Sequence, residues 1–227
     1  AICLLVWCQF PWRDVIKIPI DWHWVKESVK RCWPIWLGTL GAAAAISIDR
    51  FVVSYYMDLE EVGVITFYGS FATALLALVQ SGFYAFSYPK MIDYYRKDDR
   101  SSFWQETWQV GWQAALFVAA TSVCVGIVIP FSAPFFQKPE LANEAMTLWL
   151  MLLAIWIRTN ADTLYFVLYA RNQDKALWLG SLLFLIPALL GNIVLVPIMG
   201  LEGVGYSAVL ASLFLFFWRL AYVISGK

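Results

Sequence analysis

Charge is what this chain has least of. Of its 227 residues only 14% are Asp, Glu, Lys or Arg, against 61% hydrophobic and 18% aromatic. A soluble domain usually carries about a quarter charged residues. The shortfall, with a mean hydropathy of +0.66, excludes an ordinary water-soluble fold and points to an integral membrane protein. The 16 Lys and Arg balance the 16 Asp and Glu, so no basic surplus points to a nucleic-acid partner. Histidine is almost missing. His23 stands alone among charged neighbours, and no metal or catalytic role is expected of it. The cysteines, Cys3, Cys8, Cys32 and Cys124, form no CxxC and have no histidine partners for zinc. They read as packing residues. There is no GxSxG, no glycine-rich phosphate loop, no pair of loop carboxylates with a histidine and no metal-ligand spacing. No cofactor or metal is therefore expected, and an enzyme is not the first reading.

The chain opens on AICLLVW, with no initiator Met and no signal peptide. That run is too short to cross a bilayer. It reads as the tail of a preceding transmembrane helix, and the chain as the C-terminal fragment of a longer protein. Residues 1–31 are then that tail plus a cytoplasmic amphipathic linker. Within the linker Asp21 is a candidate N-cap, and Trp22, Val25, Val29 and Cys32 share one helical face. That pattern predicts a short interfacial helix lying on the membrane surface. Pro34, near the start of the next segment, suits a first helical turn.

What the chain does have is long apolar runs. Residues 32–227 read as a bundle of six transmembrane helices arranged as three hairpins, an all-α polytopic membrane fold. The expected spans are Cys32 to Met57, Val62 to about Tyr88, about Thr107 to Pro130, about Ala145 to Ala170, Ala176 to Ile198, and about Val204 to Ile224. At ~1.5 Å per residue each can cross a ~30 Å hydrocarbon layer. The fifth contains Pro187, Gly191 and Pro197. Arg219, near the end of the sixth, is expected to snorkel to the interface.

The cations are spread unevenly. Arg13, Lys17, Lys26, Lys30 and Arg31 precede the first span. The connector after it is acidic, with Asp58, Glu60 and Glu61. The next holds Lys90, Arg96, Lys97 and Arg100, the following one only Lys138, then Arg171 and Lys175, then none. Rich and poor segments alternate, as three helical hairpins require. The positive-inside rule puts the rich connectors and the C-terminus in the cytoplasm.

Ionisable groups inside such spans are costly and mark candidate function. Asp49 and Arg50 lie in the first span, Arg50 on a stripe with Thr39, Ala43, Ser47 and Ser54. From Trp33 to Arg50 is a rise of ~25 Å, which places Arg50 in the outer part of the span. Arg50 snorkelling outward, with Asp49 capping or pairing locally, is the plainer alternative to a path-lining role. Arg158 lies about halfway through the fourth span, where snorkelling is hardest. Asp162 follows at i+4 on the same face, and Tyr165 and Tyr169 continue it. A buried pair that only fixes helix packing and a cavity-lining pair are both open. In the second span Thr73, Gln80, Tyr84 and Ser87 lie roughly along one face, as interhelical glue or as substrate contacts. Asn192, beside Gly191, reads as a kink or packing device.

Two stretches carry a family resemblance. The run WVKESVKRCWPIWLGTLGAAAAISIDRFVVSYYMDLEEVGVITF holds a basic amphipathic segment, a Pro at a helix start, Ile48-Asp49-Arg50-Phe51, and Glu61-Val62-Gly63. The run YFVLYARNQDKALWLGSLLFLIPALLGNIVLVPIMGLEGVGYSAVLAS holds a short basic turn, an Asn-containing helix, and Gly200, Gly203, Gly205 and Ala208. In order and spacing, over nearly the whole chain, they resemble the polysaccharide biosynthesis or O-antigen flippases. That family belongs to the multidrug/oligosaccharidyl-lipid/polysaccharide exporter superfamily. The resemblance implies the second of two six-helix bundles around a central cavity, with the N-terminal half absent from this chain. It implies alternating access and a lipid-linked oligosaccharide, polyprenyl-diphosphate-borne, as substrate in the bacterial inner membrane. Arg158, then Arg50, are the cations expected to hold its diphosphate or acidic sugars. Asp162, Asp49, Gln80 and Tyr84 complete the candidate cavity wall. An ion-coupled drug or metabolite antiporter of the same superfamily is the second reading, with Asp49 or Asp162 as proton carrier. A membrane polymerase or ligase for the same lipid-linked sugars is the third; it would need a long outer loop with catalytic Arg or His.

Overall fold

The protein is seen in a computed structural model that describes residues 21–136 and 140–225. The expected tail Ala1 to Trp7, the linker as far as Ile20, Cys3, Cys8, Lys138 and Lys227 lie outside the described residues. Among the described residues the chain is helical with short turns and has no strand. Five helical stretches are long and apolar enough to cross a membrane: Leu59–Arg96, Arg100–Phe135, Ala145–Ala170, Asp174–Met199 and Leu201–Ser225. Their flanks expose large apolar side chains, among them Leu78, Ile127, Phe131, Leu190, Val194 and Phe217. An exterior this greasy is costly in water and suits contact with lipid tails.

Helix α1, Trp22–Tyr56, is a single 35-residue helix. This corrects the expectation of a separate interfacial helix followed by a new span. Asp21 does cap its start, its carboxylate accepting the His23 and Trp24 amides at 3.0 Å each. From Trp22 to Cys32 no glycine or turn residue ends the helix, and Pro34 removes one donor without supplying a stop. The expected first span is the C-terminal part of α1. It is not among the five stretches above, and its crossing belongs to the reading proposed below.

Chain contacts divide the protein into Ala1–Pro34 and Ile35–Lys227. In the second unit, α2 (Leu59–Val79) passes through a wide π-turn, Gln80–Tyr84, into α3 (Ala85–Arg96). There the Ala85 amide reaches back five residues to the Gln80 carbonyl. The helix thus continues well past Tyr88. Helix α4 is Arg100–Ser132 and begins earlier than its apolar run. Asp99 caps it, accepting the Ser102 amide at 3.1 Å, and hydrogen bonds from Ser102 hold the Asp99 carboxyl below its ordinary range. Short α5 (Glu140–Asn143) leads into α6, Ala145–Ala170.

The fifth expected span is two helices, α7 (Asp174–Leu183) and α8 (Leu185–Met199). The break falls at Phe184, three residues before Pro187. Pro187 is then in the first turn of α8, where its missing N–H costs least. Gly200, at φ +64°, ends α8 in a conformation that favours glycine. Helix α9, Leu201–Ser225, follows. It packs tightly on α8 because Gly203 has no side chain. A Cβ there would stand 2.5 Å from the carbonyl carbon and oxygen of Leu195.

Helix α6 is the hub of this unit. It packs most extensively along α9, then against α4, α2 and α3. Its contacts with α2 and α9 enclose a core of Ile65, Tyr68, Leu148, Leu152 and Val204, to which Val53 of α1 also belongs. At one end the Tyr68 hydroxyl donates to the Leu141 carbonyl at 2.8 Å. At the other, Arg171 donates to the Val223 carbonyl at 3.0 Å and lies over the Trp104 ring. That contact ties together the end of α6, the end of α9 and the start of α4.

Candidate functional site

Two hollows lie against α6. The larger, of about 420 Å³, is lined by Arg158, Asp162 and Arg219, with Gln80, Tyr84 and Tyr165. Its walls come from the later halves of α6 and α9, the π-turn and α3, α7, and Gly38 of α1. The smaller, of about 150 Å³, takes Asp49 and Arg50 from α1, Thr73 from α2, and residues from the first halves of α6 and α9. Among the described residues Arg158 alone lines both. The six residues expected at the cavity wall, Arg158, Asp162, Arg50, Asp49, Gln80 and Tyr84, each border one hollow or the other, whereas Ser87 lines neither.

Arg158 and Asp162 sit one turn apart, and their Nε and Oδ1 atoms are 3.4 Å apart. The Arg158 side chain is 22% exposed, its guanidinium 4.9 Å from the centre of the Phe184 ring. Its Nε is enclosed and makes no hydrogen bond. The closer partner of Asp162 is one that sequence reasoning missed. Arg219 Nη1 donates to the same Oδ1 at 2.7 Å and to the Ala161 carbonyl at 2.8 Å. Its side chain is 2% exposed, and its guanidinium lies 5.1 Å from the Tyr165 ring centre. The expected snorkelling of Arg219 to the interface is therefore wrong. The reason is helical phase: Val204, Ala211, Leu215 and Arg219 recur at seven- and four-residue steps along the buried stripe of α9. That spacing was the available signal. Outward snorkelling would have required Arg219 on the opposite face.

Two guanidiniums and one carboxylate leave the cluster one positive charge in excess. A buried charge is tolerable when paired and hydrogen-bonded. Arg219 meets that condition through Nη1, with two short bonds, although its Nε, like that of Arg158, is buried without a hydrogen-bond partner. The contact of Arg158 with Asp162 is longer, at 3.4 Å, and Arg158 lines both hollows.

Asp49 is satisfied differently. Its Oδ1 accepts Asn192 Nδ2 at 2.8 Å, from a residue 143 positions away in the chain. The same Nδ2 also donates to the Ala188 carbonyl at 2.8 Å. Asn192 is therefore a strut between α8 and α1 rather than a kink device. The expectation that Asp49 caps or pairs locally fails, because neighbours on a helix point about 100° apart. Arg50 is exposed. Gln80 is exposed as well, beside the hollow. Tyr84 is buried, its hydroxyl donating to the Thr159 carbonyl at 2.8 Å and lying 2.9 Å from Thr163 Oγ1. Tyr84 thus braces the π-turn against α6, and such turns are frequent at functional sites.

The geometry defines a helical protein of membrane type with an aromatic-walled cavity among its helices that is lined by two arginines and two aspartates. The chain matches no family model, no curated protein and no solved structure.

Proposed function

We propose that this chain is one bundle of an alternating-access exporter that flips a lipid-linked oligosaccharide, polyprenyl-diphosphate-borne, across the bacterial inner membrane. The observation that carries the reading is the position of Arg158. It borders a larger hollow and a smaller one, and its Nε makes no hydrogen bond. A substrate anion passing from one hollow to the other would meet it on the way, and a guanidinium fork suits a diphosphate. The rings of Tyr88, Tyr165 and Tyr169 at the larger hollow offer apolar faces for sugars.

In this reading α1 supplies the sixth span from about Cys32, and the other half of the transporter is a similar bundle outside this chain. The connectors holding Arg96, Lys97, Arg171 and Lys175 face the cytoplasm, with the C-terminus, by the positive-inside rule. The larger hollow, bordered by Asp174 and Trp178 beside the Arg171–Lys175 turn, then opens inward. The test is Arg158→Ala in the full-length protein. Surface polysaccharide is expected to disappear while the amount of protein in the membrane is unchanged; normal export would remove Arg158 from the path.

One observation favours an ion-coupled antiporter instead: Asp49 borders the smaller hollow, held only by an amide. Retained export in Asp49→Asn, with loss of drug or metabolite efflux, would select that reading.

A further inference from the structure

We infer that Arg219 is a positioning residue: it occupies Asp162, so that the charge of Arg158 stays available to a phosphate-type anion in the larger cavity. The inference rests on the reading of that cavity as a substrate path and assigns a division of labour within it.

The argument begins with chemistry local to α6. Arg158 and Asp162 are one turn apart on the same face, a spacing at which oppositely charged side chains close on each other. Alone, they would form a neutral pair, and a neutral pair has little to offer an anion. In the structure a second cation competes for the carboxylate. Arg219 comes from α9, bonds the carboxylate at 2.7 Å and is anchored a second time on the Ala161 carbonyl at 2.8 Å. Arg158 pairs with it more loosely, at 3.4 Å, and its Nε makes no hydrogen bond. Both cations address the same oxygen, Oδ1, and the shorter, hydrogen-bonded contact is that of Arg219. Burial separates the two roles further. Arg219 also borders the larger hollow but its side chain is only 2% exposed, whereas Arg158, at 22%, borders both hollows. The other acid on the wall of the larger cavity is Asp174, at the start of α7.

The consequence is specific. With Arg219 gone, Asp162 turns to Arg158 and neutralises it, so anion binding falls although Arg158 is still present. With Asp162 neutralised as well, Arg158 is released and binding returns. A residue that only holds α9 against α6 would give no such rescue.

The experiment is calorimetric titration of the purified full-length protein in detergent with inorganic pyrophosphate and with farnesyl diphosphate. Arg158→Gln should weaken binding by about tenfold or more, the loss of a charge-assisted contact. Arg219→Met should weaken it by about tenfold, and Arg219→Met/Asp162→Asn should recover to within about threefold of the unmutated protein. Unchanged binding in Arg219→Met, no recovery in the double variant, or no binding of either probe to the unmutated protein would each overturn the inference. If the single variant does not accumulate, the double variant decides alone. Its neutral pair avoids a stranded buried charge, and loss of binding in it counts against the proposal. The exporter reading is separable: rescue seen with pyrophosphate, and no gain from the prenyl chain, supports the role of Arg219 while removing a lipid-borne substrate. Export in cells without rescue in the double variant keeps the exporter and removes the role.

Discussion

Asp162 and Asp49 are both carboxylates inside long apolar helices, and they are satisfied by opposite means. Asp162 is held by two guanidiniums, one buried and hydrogen-bonded at 2.7 Å, the other loosely placed at 3.4 Å. Asp49 is held by one neutral amide at 2.8 Å, while its sequence neighbour Arg50 is exposed. The first site has charge to spare and lies between the two cavities. The second borders only the smaller cavity, and its bond ties α1 to α8. Adjacency in sequence misleads in both cases: each carboxylate takes its closest partner from another helix.

That contrast can be broken by substitution. The largest effect is expected from Asp162→Ala, which leaves Arg219 buried with a single carbonyl acceptor. Breaking a buried ion pair from one side costs about 3–5 kcal/mol, so the thermal midpoint in detergent should fall sharply. An unchanged midpoint would mean that the Arg219 guanidinium reaches water after all. An intermediate effect is expected from Asn192→Ala. It strips Asp49 of its donor and should cost about 1–3 kcal/mol, the penalty of an unsatisfied buried acceptor. A neutral result there would show that Asp49 finds water in the smaller cavity. The smallest effect is expected from Arg50→Gln, within about 0.5 kcal/mol, as for exposed positions generally. A loss as large as that of Asn192→Ala would give Arg50 a partner in the folded protein and close the gap between the two sites.

Most of the helices are legible in the amino-acid sequence. The fourth expected span matches α6 from end to end; of Pro187, Gly191 and Pro197 in the fifth, only Pro187 lies near a break, and α8 runs through the other two. Boundaries moved where a polar turn continued a helix. Arg100 joins α4 because Asp99 caps it, and residues beyond Tyr88 join α3 although Pro89 stands among them. The site was half legible. Arg158 and Asp162 stand out as intramembrane charges at a four-residue spacing, a property of one helix. Arg219 and Asn192 do not, since each looks ordinary within its own segment.

Composition and local periodicity by themselves determined that this is a membrane-type, all-helical chain and which residues within it are costly to bury. Hydropathy sums along the chain, and helix phase is fixed by 3.6 residues per turn, so both can be read one segment at a time. Which costly groups meet was decided only by tertiary packing. The rotation and height of α9 against α6, and of α8 against α1, are set by side chains interlocking across helices, such as Gly203 against the Leu195 backbone. No single segment encodes that register, and it is this register that brings Arg219 to Asp162 beside Arg158.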